Sequence, residues 1–283
     1  MPPRSAPTAR QRRLGAELRK MRERAGLNGG EAAALLDMDR TRISNTESGR
    51  FGVSAERVRT FARAYACPDR EYVDALATMA DERVKGWWEE YRGTLPPGWL
   101  DLAELEHHAK ALRSMQVTHI PGLLQTEEYA RTVFATTVPE LSPVELRRRL
   151  SHRMRRRDIL DREDPPHCTF LVHEAALRMQ FGGRRVTQGQ LEYLADASER
   201  DNVTVRVVPF SAGAFPIWGI STLYASAAVS ALDTVQLDTG YGSVLLDADV
   251  HLRNHRAILD RVQELSTQPK EARDLILQIA RSI

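Results

Sequence analysis

Between Arg12 and Ala80, residues that start helices alternate at short intervals with residues that stop them, so this part of the chain can form only short helices joined by tight turns. Leu14, Leu18 and Met21 recur at steps of four and three. They make one apolar stripe of a first helix that begins near Arg12 and ends at Gly26. Asn28 is suited to cap a second helix, filled by the strong helix formers EAAALL of residues 31–36. After Asp37 and Met38, Asp39 caps a third helix that runs to about Ser48 and stops at Gly49. Ser54 caps a fourth, with Val58, Phe61, Ala62 and Tyr65 inward. Pro68 and Asp69 open a fifth, with Tyr72, Val73, Leu76 and Met79 inward. Residues 12–80 thus read as an all-α, five-helix domain. Ahead of it, residues 1–11 form a basic tail whose Pro, Ala, Ser, Thr and Arg content predicts disorder. Arms with residues like Arg4 and Arg10 can enter a DNA minor groove. No apolar segment follows the tail's basic residues, so the pattern of a secretory signal is not expected.

Charge sets this part of the chain apart. Residues 1–66 hold 14 lysines and arginines against 7 acids, a net +7, while residues 67–283 hold 26 against 31, a net −5. Such asymmetry points to a polyanion as partner of the first part. The third helix carries the detail. With Ile43 on the inner face and 100° per residue, Thr46 and Glu47 fall inward and Thr41, Asn45 and Ser48 fall opposite. Arg42 and Ser44 flank that outer face, and Arg40 stands at the entering tip. A helix-turn-helix reader needs this division: an apolar inner face, and outer side chains that reach base edges from the N-terminal half. Arginine binds guanine through two hydrogen bonds and asparagine does the same with adenine. The alternative is a solvated basic helix. The small-residue helix before it, the short turn and the two supporting helices favour the reader.

In LNGGEAAALLDMDRTRISNTESGR, with Ala33 at a tight helix contact, Ile43 inward and the ending Glu47–Ser48–Gly49–Arg50, residues 12–66 resemble the phage-repressor or Xre type of helix-turn-helix domain. The resemblance implies base contacts from Arg40, Thr41, Arg42 and Asn45, and phosphate contacts near Asn28, Ser44 and Arg50. The sequence departs from that pattern at three places. Gly29 stands where Gln is common, Asp37 where the turn usually has Gly, and Thr46 where an aliphatic is usual.

Residues 81–100 form an aromatic-rich connector, with GWWEEYRGTLPPGWL at its centre. Residues 101–283 read as an α+β domain, a mixed sheet with helices. A helix is expected over about 102–112 and a strand over 114–120. A turn and helix should follow in HIPGLLQTEEYART, then an arginine-rich helix over about 142–161. CTFLVH and VTVRVVPF are strand patterns with a helical stretch, 186–199, between them, which suggests a βαβ unit and a partly parallel sheet. Shorter strands are expected at 220–224, 234–238 and 243–246, and two helices at 249–265 and 269–281. GWW, IPGLLQTEEYAR, HEAALR, the glycine pair 182–183, QLEYL, NVTVRVVPF and Gly213 together resemble actinobacterial Xre-type regulators with an antitoxin-like C-terminal domain of uncharacterised function. That resemblance implies a transcriptional regulator paired with a small partner protein. Palindromic sites and a homodimer are usual for this kind of DNA reader.

Other chemistry finds thin support. Cys67 and Cys168 lack zinc-site spacing and read as buried free thiols of a cytoplasmic protein. His251 and His255, four apart near Asp247 and Asp249, have metal-ligand spacing but no HExxH base, so surface histidines are the favoured reading and no metal or cofactor is expected. His173–Glu174 sits at a strand end, where α/β ligands bind. A catalytic role for that pair is the third functional reading, below a structural one, and no enzyme is expected. No GxSxG, Walker or dinucleotide motif appears, and Gly182–Gly183 and Gly240–Tyr241–Gly242 read as turns. ELRRRLSHRMRRR, residues 145–157, contains seven arginines. With Leu146, Leu150 and Met154 inward, the arginines read as a solvated face, with DNA or an acidic partner as the alternative. The apolar loop Phe215–Trp218 could cover a ligand, meet a partner or close the core. The second functional reading is a ligand-sensing transcription factor with a small-molecule site in the C-terminal domain. No run of 18 apolar residues suited to a membrane span occurs.

Overall fold

The computed structural model describes residues 6–82, 85–216, 220–239 and 242–283. They fall into two compact units, Met1–Glu89 and Glu90–Ile283. Arg4, Ile217, Trp218, Gly240 and Tyr241, named above for the tail, the apolar loop and one turn, lie outside the described residues.

The first unit holds five helices: α1 Ala9–Arg24, α2 Gly29–Leu35, α3 Arg40–Glu47, α4 Ala55–Ala64 and α5 Arg70–Asp81. Helix α1 opens three residues ahead of Arg12. The Thr8 side chain accepts the Gln11 N–H while the Gln11 side chain accepts the Thr8 N–H. Thr8-x-x-Gln11 is thus a capping box, a helix start inside what reads by composition as a disordered tail. Arg10 pairs with Glu82, so it is held within this unit rather than free as an arm. Asn28, Asp39, Ser54 and Asp69 cap the next four helices through their side chains.

Helix α1 carries Leu14, Leu18 and Met21 into the core with Ile43, Val58, Phe61 and Leu76. Its backbone nearly touches the end of α3. A Cβ added at Gly15 would lie 2.5 Å from the Glu47 carbonyl oxygen and 2.6 Å from that of Thr46. Gly49 is bound twice over: its φ is +72°, and an added Cβ would meet the Gln11 carbonyl at 2.7 Å. Gly15→Ala should therefore force α1 and α3 apart and cost about 1–3 kcal/mol. A urea titration of the full chain would read this as an earlier first transition, and an unchanged midpoint would refute the close approach.

Polar ties finish the unit. The buried Glu17 accepts hydrogen bonds from Arg13 at 2.8 Å, Lys20 at 2.7 Å and the Tyr72 hydroxyl at 2.6 Å, which joins α1 to α5. Burial, then the Glu17 charge, holds the Tyr72 hydroxyl protonated far above its usual range. Arg22 grips both carboxylate oxygens of Glu47, at 2.7 and 2.9 Å, which fixes the end of α3 on α1.

After a 3-10 turn at Trp87–Tyr91, the second unit begins with α6 Pro97–His108 and β1 Ala111–Gln116. Helices α7 Glu127–Ala135 and α8 Pro143–Arg156 lead to β2 His167–His173. Helices α9 Glu174–Arg178 and α10 Gly183–Ala197 lead to β3 Val203–Val208. Strands β4 Thr222–Ser226, β5 Thr234–Thr239 and β6 Gly242–Leu246 follow, then α11 Asp249–Glu264 and α12 Pro269–Ser282. The sheet order is β3-β2-β1-β4-β5-β6. The strands β1, β2 and β3 are parallel, and β1–β4, β4–β5 and β5–β6 are antiparallel. The sheet is mixed, with its parallel half built from two strand–helix–strand crossovers.

Alternation along the strands fills two cores. Leu112, Phe170, Val172, Val205, Val207 and Leu223 face one side with Leu191 and Leu194 of α10 and Ile276 and Ile279 of α12. Met115, Leu171, Val208, Tyr224 and Val235 face the other with Leu252, Leu259 and Val262 of α11. The helix expected to reach residue 112 ends at His108, because Ala111 and Leu112 pair with His167 and Cys168 of β2. The strand expected to end at 120 ends at Gln116, and the one expected to end at 210 stops before Pro209, which has no N–H to donate. Both cysteines are free, but only Cys168 is buried, and Cys67 is partly exposed. Burial pushes the Cys168 thiol up to about 12, so it is no nucleophile.

Candidate nucleic-acid interface

Helix α3 exists because Asp39 closes its N-terminus, accepting the Arg42 N–H at 2.7 Å, and Ile43 and Thr46 bury its inner face. The hydroxyl of Thr46 bonds the Arg42 carbonyl at 2.9 Å, so a polar residue sits in the core with its donor satisfied. Asp37, the turn residue before α3, has φ +50°, the left-handed conformation that Gly often supplies and Asp tolerates. The outer residues Arg40, Thr41, Arg42 and Ser44 are exposed, and Asn45 is partly so.

Thr41, Arg42, Asn45 and Arg50 line one concavity of about 860 Å³ together with Met38, Phe51, Ser54 and Arg57. Arg40, Ser44 and Asn28 do not line it. Arg40 instead lies over the start of α2, about 4.0 Å from where a Gly29 side chain would begin. Asn28 spends its side-chain oxygen on the Gly30 and Glu31 N–H groups, as the cap of α2. The concavity thus joins one Asn, one Thr and three arginines on a rim open to a groove-sized ligand, while Asp39 within it is engaged by α3's own backbone.

Arg57 escaped the sequence reading. It occupies the first turn of α4, where the helix dipole disfavours a cation, and its guanidinium lies over the Phe61 ring at 5.8 Å.

The residues considered for chemistry in the second unit are otherwise occupied. The His173 ring accepts the Ala175 N–H at 3.1 Å and packs between Phe210, centroids 5.3 Å apart, and Phe215, 5.0 Å apart. Burial holds it below the usual histidine range. Glu174 accepts hydrogen bonds from Arg178 at 2.8 Å and the Phe210 N–H at 2.9 Å. A ring acting as helix cap among aromatics and a carboxylate tying down a loop do not converge as an acid–base pair. The His255 Nδ1 lies 2.9 Å from the His251 carbonyl, and no group of three metal-binding side chains gathers among the described residues. The arginine-rich α8 differs from its expectation. Leu150 is buried and Leu146 and Met154 pack beside it, but Arg156 is buried too, and Arg153 and Arg157 are only partly exposed. Among the described residues no helix is long and apolar enough to cross a membrane.

A protein-family model described as a helix-turn-helix domain matches residues 13–76, and one described as a domain of unknown function (DUF5753) matches residues 99–278. No curated protein and no solved structure matches the chain. The helix-turn-helix domain marks a DNA-binding regulator, and the second match spans more than half of the chain's 283 residues. The chain belongs to the DUF5753 family, with a helix-turn-helix domain ahead of the domain that defines it.

Proposed function

We propose that this chain is a sequence-specific, cytoplasmic transcriptional regulator that reads double-stranded DNA with α3. Arg40, Thr41, Arg42 and Asn45 meet base edges, and Asn28, Ser44 and Arg50 meet phosphates. The observation that carries this reading is the concavity lined by Thr41, Arg42 and Asn45 of α3 together with Arg50 and Arg57, side-chain types suited to bases and phosphates. The chain acts as a homodimer on a palindromic site, as readers of this geometry do. Selecting bound duplexes from a random library with the full chain tests this. Enrichment of two inverted half-sites about one helical turn apart supports it; recovery of no common sequence contradicts it. Arg57→Ala should weaken binding to every duplex alike and lower the salt slope by about one, because its partner is a phosphate. A loss confined to one sequence would make Arg57 a base reader instead.

The C-terminal domain is, in this proposal, an antitoxin-like receiver for a small partner protein. Support comes from the end of the sheet, where β6 is the last strand and its Val244 is 44% exposed. Such an edge offers hydrogen-bonding groups and apolar surface to a strand of another chain. Co-purification of a small protein with the full chain, lost when Val244 is replaced by Lys, tests it. Unchanged capture by the variant would exclude this edge. The ligand-sensing alternative for the same domain has separate support in the interior arginine Arg153.

A further inference from the structure

Helix α8 turns two arginines into the second unit. Arg156 is matched: its Nε and Nη2 donate to the two Glu106 carboxylate oxygens, at 2.8 and 2.5 Å, and both side chains are buried. Arg153, one turn earlier, is not matched. Its Nη1 donates to the neutral Gln125 at 3.0 Å, its Nε is buried with no acceptor, and it makes no ion pair among the described residues. The Glu106 and Asp238 carboxylates act on its charge without bonding it, Glu106 being taken by Arg156 and Asp238 by Gln236 at 2.6 Å. The guanidinium is nonetheless held in place. The Phe134 ring lies 5.0 Å from it and the Trp99 ring 5.9 Å.

The surroundings fit a ligand better than a core. Arg153 faces the bare turn at Gly122, where an added Cβ would come within 2.6 Å of its Nη1 and 3.5 Å of that of Arg156. His119, just past β1, feels the Arg153 charge, and its ring lies tilted against that of Phe181, centroids 4.9 Å apart. β1 lies between its parallel neighbour β2 and its antiparallel neighbour β4, so its carboxyl end adjoins the start of β4.

We propose that Arg153, with His119 and Gln125, forms a binding site at the carboxyl end of β1 for a small oxyanion of the carboxylate or phosphate class. The forked guanidinium supplies the charge and two-point geometry. Burial and the neighbouring Arg156 charge pull Arg153 down to about 9, with the Glu106 and Asp238 charges acting the other way.

The test uses the full chain and thermal melting in inorganic phosphate or in succinate, at constant ionic strength against sodium chloride. The wild type should show a saturable rise in Tm with at least one of the two anions that chloride does not give. Phosphate alone would assign the phosphate class and succinate alone the carboxylate class. Arg153→Met should abolish the rise and melt no lower than wild type without anion, since an unmatched charge has been removed. Arg153→Lys keeps the charge, loses the fork, and should raise the anion concentration needed about tenfold or more. The same rise in Arg153→Met, the same midpoint in Arg153→Lys, or no rise in the wild type would overturn the site. DNA binding through α3 is measured separately, so failure of either leaves the other standing.

Discussion

Glu106→Gln should lower the stability of the C-terminal domain by about 3–5 kcal/mol, the usual result of removing one partner from a buried ion pair. Glu106 is 2% exposed and Arg156 8%, and the two meet through a pair of parallel hydrogen bonds. Burial works against the Arg156 charge, and the Glu106 carboxylate more than offsets it, so the guanidinium ends above its ordinary value. Glutamine has nearly the same shape and can still accept one hydrogen bond. What it removes is the negative charge that acts on both Arg156 and Arg153. Chemical denaturation of the full chain followed by tryptophan fluorescence measures the loss. A change under about 1 kcal/mol, the level of an exposed pair, would mean that water reaches the bridge.

The second large effect is on pH. His152 is fully buried, with the Tyr91 and Trp99 rings 5.1 and 5.7 Å from its own. Burial, then the charges of Arg156 and Arg153, pushes its pKa from 6.5 down to about 3. The unfolded chain therefore takes up a proton below pH 6.5 that the folded chain refuses until about pH 3. Stability is complete above pH 6.5 and falls as the pH drops through this window, with a slope that approaches about 1.4 kcal/mol per pH unit. Between pH 6.5 and 5 this single ring should account for about 2 kcal/mol. Burial also lowers His119 and His173, which act in the same direction. The comparison that isolates His152 is His152→Phe, which fills the aromatic niche without a titrating group. The variant should show a shallower acid slope whatever its absolute stability. Identical slopes would place the proton elsewhere.

How far the sequence carried the fold depends on how local the deciding physics was. Four of the five N-terminal helices, α2 to α5, are each opened by a side chain next to its own helix, Asn28, Asp39, Ser54 and Asp69, so their starts are written in the residues themselves. The early start of α1 was also local, in the Thr8–Gln11 pair, but composition masked it. The C-terminal strands were legible as apolar alternation, whereas their order and the end of β1 at Gln116 depend on pairing across distant segments. The arginines of α8 show the limit most clearly. Seven arginines spread around the faces left by Leu146, Leu150 and Met154 read as a solvated face, yet Glu106, fifty residues earlier, draws Arg156 inward. In the candidate interface, α3 was visible because helix phase fixes which residues share a face. Arg57 was missed because its neighbours in the concavity come from another helix and from the loop that follows it.

The most direct test of DNA reading by α3 is fluorescence anisotropy of the full chain at two salt concentrations. It would compare a duplex from upstream of its own gene, a scrambled duplex, and Arg42→Ala beside wild type. Tighter binding of the wild type to the upstream duplex is expected, with Arg42→Ala losing about 1–3 kcal/mol on that duplex and little on the scrambled one. Wild type and Arg42→Ala binding both duplexes with equal strength would contradict the account, because α3 would then read no base through Arg42.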